Sequence, residues 1–340
     1  MKKSFWIIAA MAGVLFTACE NGDRDFPDFK YSAVYFAYQS PIRTITLGED
    51  PSVDNSLDNE HKCQIMATIA GVYENKKNVE IGIRVDNSLC DGYTFESTKG
   101  DIMPLPTSHY TLSDDKIVIK KGQVLGGVTV NLTDAFFNDP KATELNYVIP
   151  VVMTGVQNAD SILEGKPSVD TPDRVNKEDW EVQSKDYILY AVKYISKYDS
   201  HYLRRGVDTY TGNKTGTEVR HAANVEKDET IGGFSTLGLN KVQWERPTKD
   251  AAGKNVEANL ILTFDESGNC VITSNTEGVE ANGSGKVVAK GDKNSWGNKD
   301  RDVIYLDYTM DYAGIHCATK DTLVTHYRGV KAEWFTPVKK

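Results

Sequence analysis

Short segments in which apolar and polar residues alternate follow one another from about residue 30 to the end of the 340-residue chain. In residues 78–86 the alternation places four aliphatic side chains on one face of a strand, because successive side chains of a strand point to opposite faces. Similar segments occur at residues 116–120, 127–132, 147–153, 259–264, 270–274, 283–289, 302–310 and 321–327. No helix-length stretch with a period of 3.6 residues interrupts them. The sequence therefore predicts an all-β protein.

The strand pattern lapses between residues 158 and 186, where acidic residues and two prolines replace the alternation. We interpret this stretch as a linker between a β-sandwich at residues 30–157 and an antiparallel β-barrel at residues 187–340. Closure into a barrel would remove the exposed edges of the second sheet. Within the apolar run at residues 147–153, Pro150 predicts an edge strand or a bulge, because proline cannot donate to a ladder.

Residues 1–18 have the pattern of a bacterial lipoprotein signal peptide. Two lysines precede an apolar run at residues 5–16, which is too short to span a bilayer, since a span takes about 20 residues. The run ends in the sequence FTAC, and we expect cleavage before Cys19 and acylation of its thiol, with several acyl chains giving a stable anchor. The alternative is a plain signal peptide with a chance cysteine. Residues 19–29 form an acidic tether.

Charge and cysteine content narrow the class of function. A formal net charge of −9 argues against nucleic acid as a partner, because phosphate binding rests on lysine and arginine. The cysteines after the lipid site form no CxxC pair, which argues against a zinc ribbon or a thioredoxin site. They allow the disulfides 63–90 and 270–317 or four buried free thiols, and both alternatives stay open. These residues are Cys63, Cys90, Cys270 and Cys317.

Two sets of short motifs resemble a known pair of domains. The first set resembles the N-terminal Ig-like domain of unknown function in Bacteroidota surface lipoproteins, which in some relatives precedes a module of glycoside hydrolase family eighteen. It comprises VDNSL at 85–89, LP at 105–106, YTL at 110–112 and IKKG at 119–122. The second set resembles a lipocalin-like C-terminal domain of unknown function. It comprises DW at 179–180, YI at 194–195, YLRRG at 202–206 and YRGV at 327–330.

The resemblance implies an Ig-like β-sandwich followed by a lipocalin-like barrel in a polysaccharide-utilisation locus. It also implies a TonB-dependent transporter and its glycan-capturing lipoprotein as partners. We expect no hydrolase module in this chain, which is a departure from those relatives. The acids that follow Cys19 resemble the surface-export signal of Bacteroidota lipoproteins. We therefore expect a protein on the outer membrane that faces the cell exterior and contacts the membrane only through its lipid. The triplets Asp160-Ser161-Ile162 and Asp321-Thr322-Leu323 resemble O-glycosylation acceptors of these bacteria.

Motifs for catalysis, for a cofactor and for a metal are missing from the sequence. It contains no HExxH, GxSxG or Walker loop, and its six histidines show no spacing typical of metal ligands. The polar segment at residues 292–302 fails as an EF-hand, because Trp296 occupies its fifth position and Val303 its twelfth. Glycoside hydrolysis needs two carboxylates across a cleft, and Asp302 and Asp307 fall on opposite faces of one strand. We expect no enzyme activity, no metal and no cofactor.

Aromatic residues on loops are the sequence's best candidates for a ligand site. The CH faces of sugar rings stack on tyrosine and tryptophan, and sugar hydroxyls bond asparagine and aspartate. We therefore predict a glycan site at Trp296 with Asn294, Asn298 and Asp300, and further ligand contacts at Tyr198, Tyr202 and Tyr210. A barrel mouth is a second possible pocket.

These features predict a non-catalytic surface lipoprotein that binds a glycan or oligosaccharide for import. The alternative is a structural or adhesive lipoprotein that docks another protein of an outer-membrane transport complex.

Overall fold

The computed structural model describes residues 30–340. The predicted signal peptide at residues 1–18, the lipid site Cys19 and the tether at residues 19–29 lie outside these described residues. None of the helices within residues 30–340 is both long enough and apolar enough to cross a bilayer.

Strands dominate the described part of the chain, so the all-β class is confirmed. The first fourteen are β1 (Ala33–Tyr35), β2 (Pro41–Thr46), β3 (Lys62–Ala70), β4 (Val79–Val85), β5 (Tyr93–Phe95), β6 (Met103–Pro104), β7 (Tyr110–Leu112), β8 (Lys116–Ile119), β9 (Leu125–Leu132), β10 (Tyr147–Gln157), β11 (Ser161–Ile162), β12 (Lys166–Pro167), β13 (Trp180–Val182) and β14 (Tyr187–Ile195). The others are β15 (His201–Gly212), β16 (Gly216–Arg220), β17 (Glu229–Ile231), β18 (Phe234–Gly238), β19 (Lys241–Glu245), β20 (Thr248–Lys249), β21 (Asn255–Val256), β22 (Asn259–Phe264), β23 (Asn269–Ser274), β24 (Val279–Asp292), β25 (Arg301–Tyr312), β26 (Ile315–Tyr327), β27 (Glu333–Trp334) and β28 (Pro337–Lys339). Short α-helices are α1 (Ser56–Asn59) and α2 (Asp134–Phe137), and 3₁₀ turns lie at Asn87–Cys90, Pro140–Thr143, Lys177–Asp179, Val225–Lys227 and Trp296–Asn298.

The first domain is built on a twelve-stranded sheet. Its hydrogen-bonded order is β11-β1-β3-β9-β8-β4-β10-β14-β2-β27, with β6 added to β10 and β7 to β9. Val34 of β1 and Ile45 of β2, from opposite ends of this order, are fully buried in one core. The sheet therefore folds over on itself as a sandwich around that core.

The strand β14 belongs to this first sheet, so the domain boundary predicted at residue 187 is wrong. It pairs antiparallel with β10 and parallel with β2. Its apolar residues occupy both parities: Ile188 and Tyr190 face the sandwich core, whereas Leu189 and Ala191 enter a second core behind the sheet. A strand that is apolar on both faces needs a central position, and only the first sheet covers both of its faces.

The stretch predicted as a linker, residues 158–186, packs along the first domain. Within it, β11 adds to β1, and β12 pairs with β13. The indole Nε1 of Trp180 donates to the carbonyl of Asp173 at 2.8 Å, and the hydroxyl of Tyr93 donates to the Asp173 carboxylate at 2.6 Å. The strands within residues 158–186 have only two or three residues, which is too short for alternation to show, so the sequence did not predict them.

Pro150 lies in a central strand and not at an edge, which corrects another expectation. It stands opposite Leu189 of β14. On the other side of β10, the ladder with β4 begins at Val151 and the ladder with β6 ends at Val148. Proline is tolerated in the gap between these two ladders because its missing N–H has no partner to lose. A register shift of β10 does occur, further along between residues 153 and 155.

The C-terminal tail returns to the first domain. There β27 pairs with β2, and β28 pairs with β5. Between these two strands, Phe335 is buried against Phe95, with ring centroids 4.9 Å apart. The last residues of the chain therefore help to hold the domain that its first described residues begin.

The second sheet has ten strands but does not close into the predicted barrel. Its order is β16-β15-β26-β25-β24-β23-β22-β19-β18, with β17 added to β15. Only the chain itself links β17 to β18, through Gly232 and Gly233, and no continuous ladder joins the two edges. Gly233 has a φ of 77°, a conformation that ends a strand and favours glycine. This break leaves the sheet open in hydrogen-bonding terms while its strands still enclose one core.

Aromatic and aliphatic side chains fill most of that enclosed interior. Trp244, Tyr202 and Tyr308 are among its largest fully buried members. Phe234 stacks on Trp244 with ring centroids 5.3 Å apart. Open space remains towards one end of the sheet, where the buried residues become polar.

Arg328 fixes the two domains to each other. Its guanidinium is buried and donates to the carbonyls of Leu47 at 2.6 Å, Ser196 at 2.6 Å and Asp199 at 2.9 Å. Leu47 follows β2 of the first sheet, and the other two carbonyls belong to the short connection from β14 to β15. One side chain therefore bonds the first domain, the second domain and the segment between them.

Candidate functional site

A cavity of about 530 Å³ opens at the polar end of the second sheet. Its walls come from β15, β16, the end of β25 and a separate hairpin formed by β20 and β21. Ligand pockets usually measure roughly 300–1,000 Å³, so this cavity has room for one or two sugar rings.

The floor of the cavity is a network of buried charges. Arg204 donates to both carboxylate oxygens of Asp321, at 3.0 Å and 2.9 Å. Arg220 bridges Asp321 and Asp208, and Arg246 donates to Asp208 at 3.1 Å. Arginine matches carboxylates with two parallel hydrogen bonds, which is why this residue type can pair inside a domain. Each of these side chains makes at least two hydrogen bonds, which restricts its movement.

Local geometry explains how Asp321 fits between two arginines. Gly206 of β15 stands directly opposite it on β26. A Cβ added at Gly206 would lie 2.5 Å from the Asp321 carboxylate and 2.3 Å from the backbone oxygen of Lys320. Only glycine leaves the space that this carboxylate occupies.

The network keeps Asp208 ionised. Burial alone would raise the pKa of its carboxyl, but Arg246, the Thr319 hydroxyl and Arg220 outweigh burial and lower this pKa to about 2. A glycosidase acid must hold a proton near neutral pH, and Asp208 does not. Its chemistry is therefore that of a hydrogen-bond acceptor.

Tyr210 connects the network to the rim of the cavity. Its hydroxyl lies 3.1 Å from Asp208 and 3.1 Å from Glu218, and Lys214 sits 3.7 Å from the centre of its ring. Burial and then the charge of Asp208 raise the pKa of this hydroxyl, so it stays a donor at neutral pH.

The lining of the cavity is polar and balanced in charge. Five basic and five acidic side chains contribute to it, whereas Pro247, Val256 and Ala258 are its aliphatic members. An apolar ligand would have to displace water from these charges without replacing their hydrogen bonds, which is unfavourable. The lining suits an uncharged ligand that carries many hydroxyl groups.

The tyrosines predicted as ligand contacts differ in their surroundings. All three, Tyr198, Tyr202 and Tyr210, are buried, which corrects the expectation that aromatic residues on loops are exposed here. Tyr198 stacks on Phe264 with ring centroids 3.7 Å apart, and the Tyr202 hydroxyl donates to the carbonyl of Tyr198 at 2.7 Å. Of the three, only Tyr210 reaches the cavity.

The predicted site around Trp296 lies apart from the cavity, and none of its four residues lines it. The Trp296 ring is half-buried on an outer face of the second sheet, 4.7 Å from the ring of His326. Asn294 and Asn298 have φ values of 44° and 56°, so both serve as turn residues. Asp300 accepts a hydrogen bond from Lys293 at 2.9 Å. A glycan contact at Trp296 stays a prediction.

Sequence reasoning missed the buried charges, although a signal was present. On β15, Arg204 and Asp208 share the parity of the core residues Tyr202 and Tyr210. On β26, Asp321 shares the parity of Leu323. Charges of opposite sign on the apolar face of neighbouring strands indicate a buried network.

Two further observations concern possible metal ligands and the state of the cysteines. Within residues 30–340, no group of three or more histidine, cysteine, aspartate or glutamate side chains could hold a metal ion. The four cysteines left open as disulfides or thiols, Cys63, Cys90, Cys270 and Cys317, are all free and buried.

Two family models match this chain. A domain of unknown function, DUF5627, matches residues 197–329, which is the second domain without the tail. A model described as an N-terminal domain matches residues 29–160. No match was found among curated proteins.

The comparison with solved structures found a close relative. The chain is 46% identical to a Bacteroides ovatus protein of unknown function, with a TM-score of 0.84 over 92% of this chain and 100% of the other. A second B. ovatus protein of unknown function is 10% identical, with a TM-score of 0.39 over 90% of this chain and 100% of the other. An auxiliary nutrient binding protein from Bacteroides thetaiotaomicron is 12% identical, with a TM-score of 0.36 over 83% of this chain and 90% of the other. The last two likenesses are too low to carry an argument.

Proposed function

We propose that this chain, which belongs to the family of the B. ovatus protein of unknown function, binds glycans without cleaving them. Membership of that family assigns no activity, so the proposal rests on the cavity. The single observation behind this proposal is the cavity's charge-balanced, hydrogen-bonding lining. Hydroxyl groups of a neutral sugar can both donate to the carboxylates and accept from the lysines and arginines. Tyr210 and Tyr312 also line the cavity, where both side chains are buried and Lys214 lies over the ring of Tyr210.

The leader sequence supports a location for this function. A lipid on Cys19 and the acidic residues after it would hold the protein on the outer membrane, facing the cell exterior. Capture of a glycan there would serve import, with a TonB-dependent transporter and its glycan-capturing lipoprotein as partners. Loss of the protein from intact cells treated with added protease would support the outward orientation, and resistance would contradict it.

Affinity electrophoresis through gels that contain neutral or acidic polysaccharides tests the binding function. We expect retardation by a neutral polysaccharide. Retardation by none, with the protein folded, would refute the proposal and favour docking to another protein of a transport complex.

Two variants test whether the cavity is the site. Lys249 and Asn255 lie on the hairpin that forms one wall, and both side chains are exposed. Replacing both with alanine removes two hydrogen-bonding groups of about 1 kcal/mol each, so we expect roughly tenfold or greater weakening. Lys320→Ala is the matched control, because its side chain is 79% exposed and Lys320 does not line the cavity. Equal retardation of both variants would show that the cavity is not the site.

A further inference from the structure

Two exposed aromatic rings stand side by side on the first domain, far apart in sequence. Tyr38 is 59% exposed and Trp334 is 54% exposed. Their ring centroids are 5.3 Å apart, and the ring planes are inclined at 47°. Single exposed apolar residues are ordinary, but a paired tyrosine and tryptophan form a contiguous apolar surface.

Both rings are held on rigid backbone. Trp334 lies in β27, which pairs with β2, and the next residue, Phe335, is buried and donates its N–H to the carbonyl of Ser40 at 3.0 Å. On the other side, the carbonyl of Gln39 accepts from the N–H of Leu189 at 2.7 Å. Alternation along β27 therefore forces Trp334 outward while its neighbour anchors the tail. A surface fixed in this way loses little conformational entropy when it binds a ligand.

The polar groups of the pair are also exposed for bonding. Neither the Tyr38 hydroxyl nor the Trp334 indole N–H makes a hydrogen bond within the described residues. The surface thus combines two apolar ring faces with donors and acceptors at their edges.

The size of the surface selects its ligand. A large aromatic side chain offers about 150–250 Å² in all, so two rings exposed by little more than half present roughly 200 Å². A stable protein interface needs about 800 Å² on each partner. The surface is too small for a protein but matches the face of one or two sugar rings.

We propose that Tyr38 and Trp334 form a second glycan-binding surface, on which hexose rings of a polysaccharide stack. This inference rests on the proposed function, because it takes the same polymer as the ligand. It places one contact on each domain, so that a single glycan chain could engage both.

The experiment compares retardation of the full chain and its variants by the polysaccharide that retards the unaltered protein. Tyr38→Ala combined with Trp334→Ala should weaken retention about tenfold, and Trp334→Phe, which keeps a flat ring, should retain most of the affinity. The control is Tyr305→Ala, since Tyr305 is 43% exposed on the second sheet. Because the substituted rings are exposed, each variant should have the same thermal unfolding temperature as the unaltered protein.

The outcomes separate the two proposals. Unchanged retention of the double variant, or a loss in Trp334→Phe equal to that of the double variant, overturns the second surface and leaves the cavity. Loss in the double variant with no effect of the substitutions at Lys249 and Asn255 overturns the cavity and supports the second surface. If no polysaccharide retards the unaltered protein, both proposals fail together.

Discussion

Removing the charge of Asp321 should strongly destabilise the second domain. Its carboxylate is fully buried and accepts hydrogen bonds from Arg204, from Arg220 and from the Tyr308 hydroxyl at 3.0 Å. Asp321→Asn keeps the size of the side chain but leaves the buried guanidinium of Arg204 without an anion and the partly buried Arg220 with Asp208 alone. Breaking a buried ion pair in this way costs about 3–5 kcal/mol. At 2–4 °C per kcal/mol for a chain of this size class, the transition should fall by roughly 10 °C or more.

The same sheet provides a matched control for this substitution. Asp307 lies on β25 and contacts Lys320 at 3.3 Å, but its side chain is 67% exposed and that of Lys320 is 79% exposed. Exposed pairs contribute about 0–1 kcal/mol, so Asp307→Asn should leave the free energy of unfolding almost unchanged. Urea unfolding followed by circular dichroism measures both variants. A loss at Asp321 as small as that at Asp307 would refute the account of the network as a buried unit held together by its ion pairs.

Three further predictions concern other parts of the molecule. Denatured protein should show four reactive thiols beyond Cys19 and native protein none at pH 8, because burial raises the pKa values of the thiols, that of Cys63 to about 11. Titration with an aromatic disulfide reagent, which releases one coloured thiolate for each protein thiol, gives both counts. Burial, Arg301 and His201 lower the pKa of His326, so the folded state binds this proton less readily than the unfolded chain, and the free energy of unfolding should fall as pH drops below about 6.5. Thermal melts between pH 7.5 and 5.5 should show this fall, and His326→Gln should reduce it. Phe335→Ala should lower the free energy of unfolding by about 3–5 kcal/mol, because it leaves a cavity where the tail packs on the first domain. Urea unfolding measures this change, and an unchanged midpoint would show that the tail does not stabilise that domain.

Alternation along single strands was the reliable part of the sequence signal. The segments around β4, β8 and β23 were placed within a residue or two, because each has one apolar face. The pattern failed where both faces are apolar. In β10 and β14 it could show a buried strand, but it could not show which sheet would cover both faces.

The candidate site was less predictable than the fold for a related reason. The cavity gathers β15, β16, β25 and a hairpin, so its lining depends on long-range pairing that no local pattern contains. The sequence around Tyr198, Tyr202 and Tyr210 does not distinguish these tyrosines, yet only Tyr210 lines the cavity, and the other two pack in the core. Tyr38 and Trp334 lie about three hundred residues apart and meet only because β27 returns to β2.

Because the two domains are fixed relative to each other, the two proposed glycan surfaces can bind one polymer together. Arg328 bonds both domains and the segment between them, so the cavity and the ring pair keep one relative position. When one part of a polymer is bound, the rest meets the second surface at an effective concentration of about millimolar, without a further loss of overall motion. Two weak sites can then hold a long chain firmly while each releases short fragments readily. Such a protein would retain long polymers and release short ones, and this behaviour follows from the presence of two surfaces at a fixed separation and not from the strength of either one.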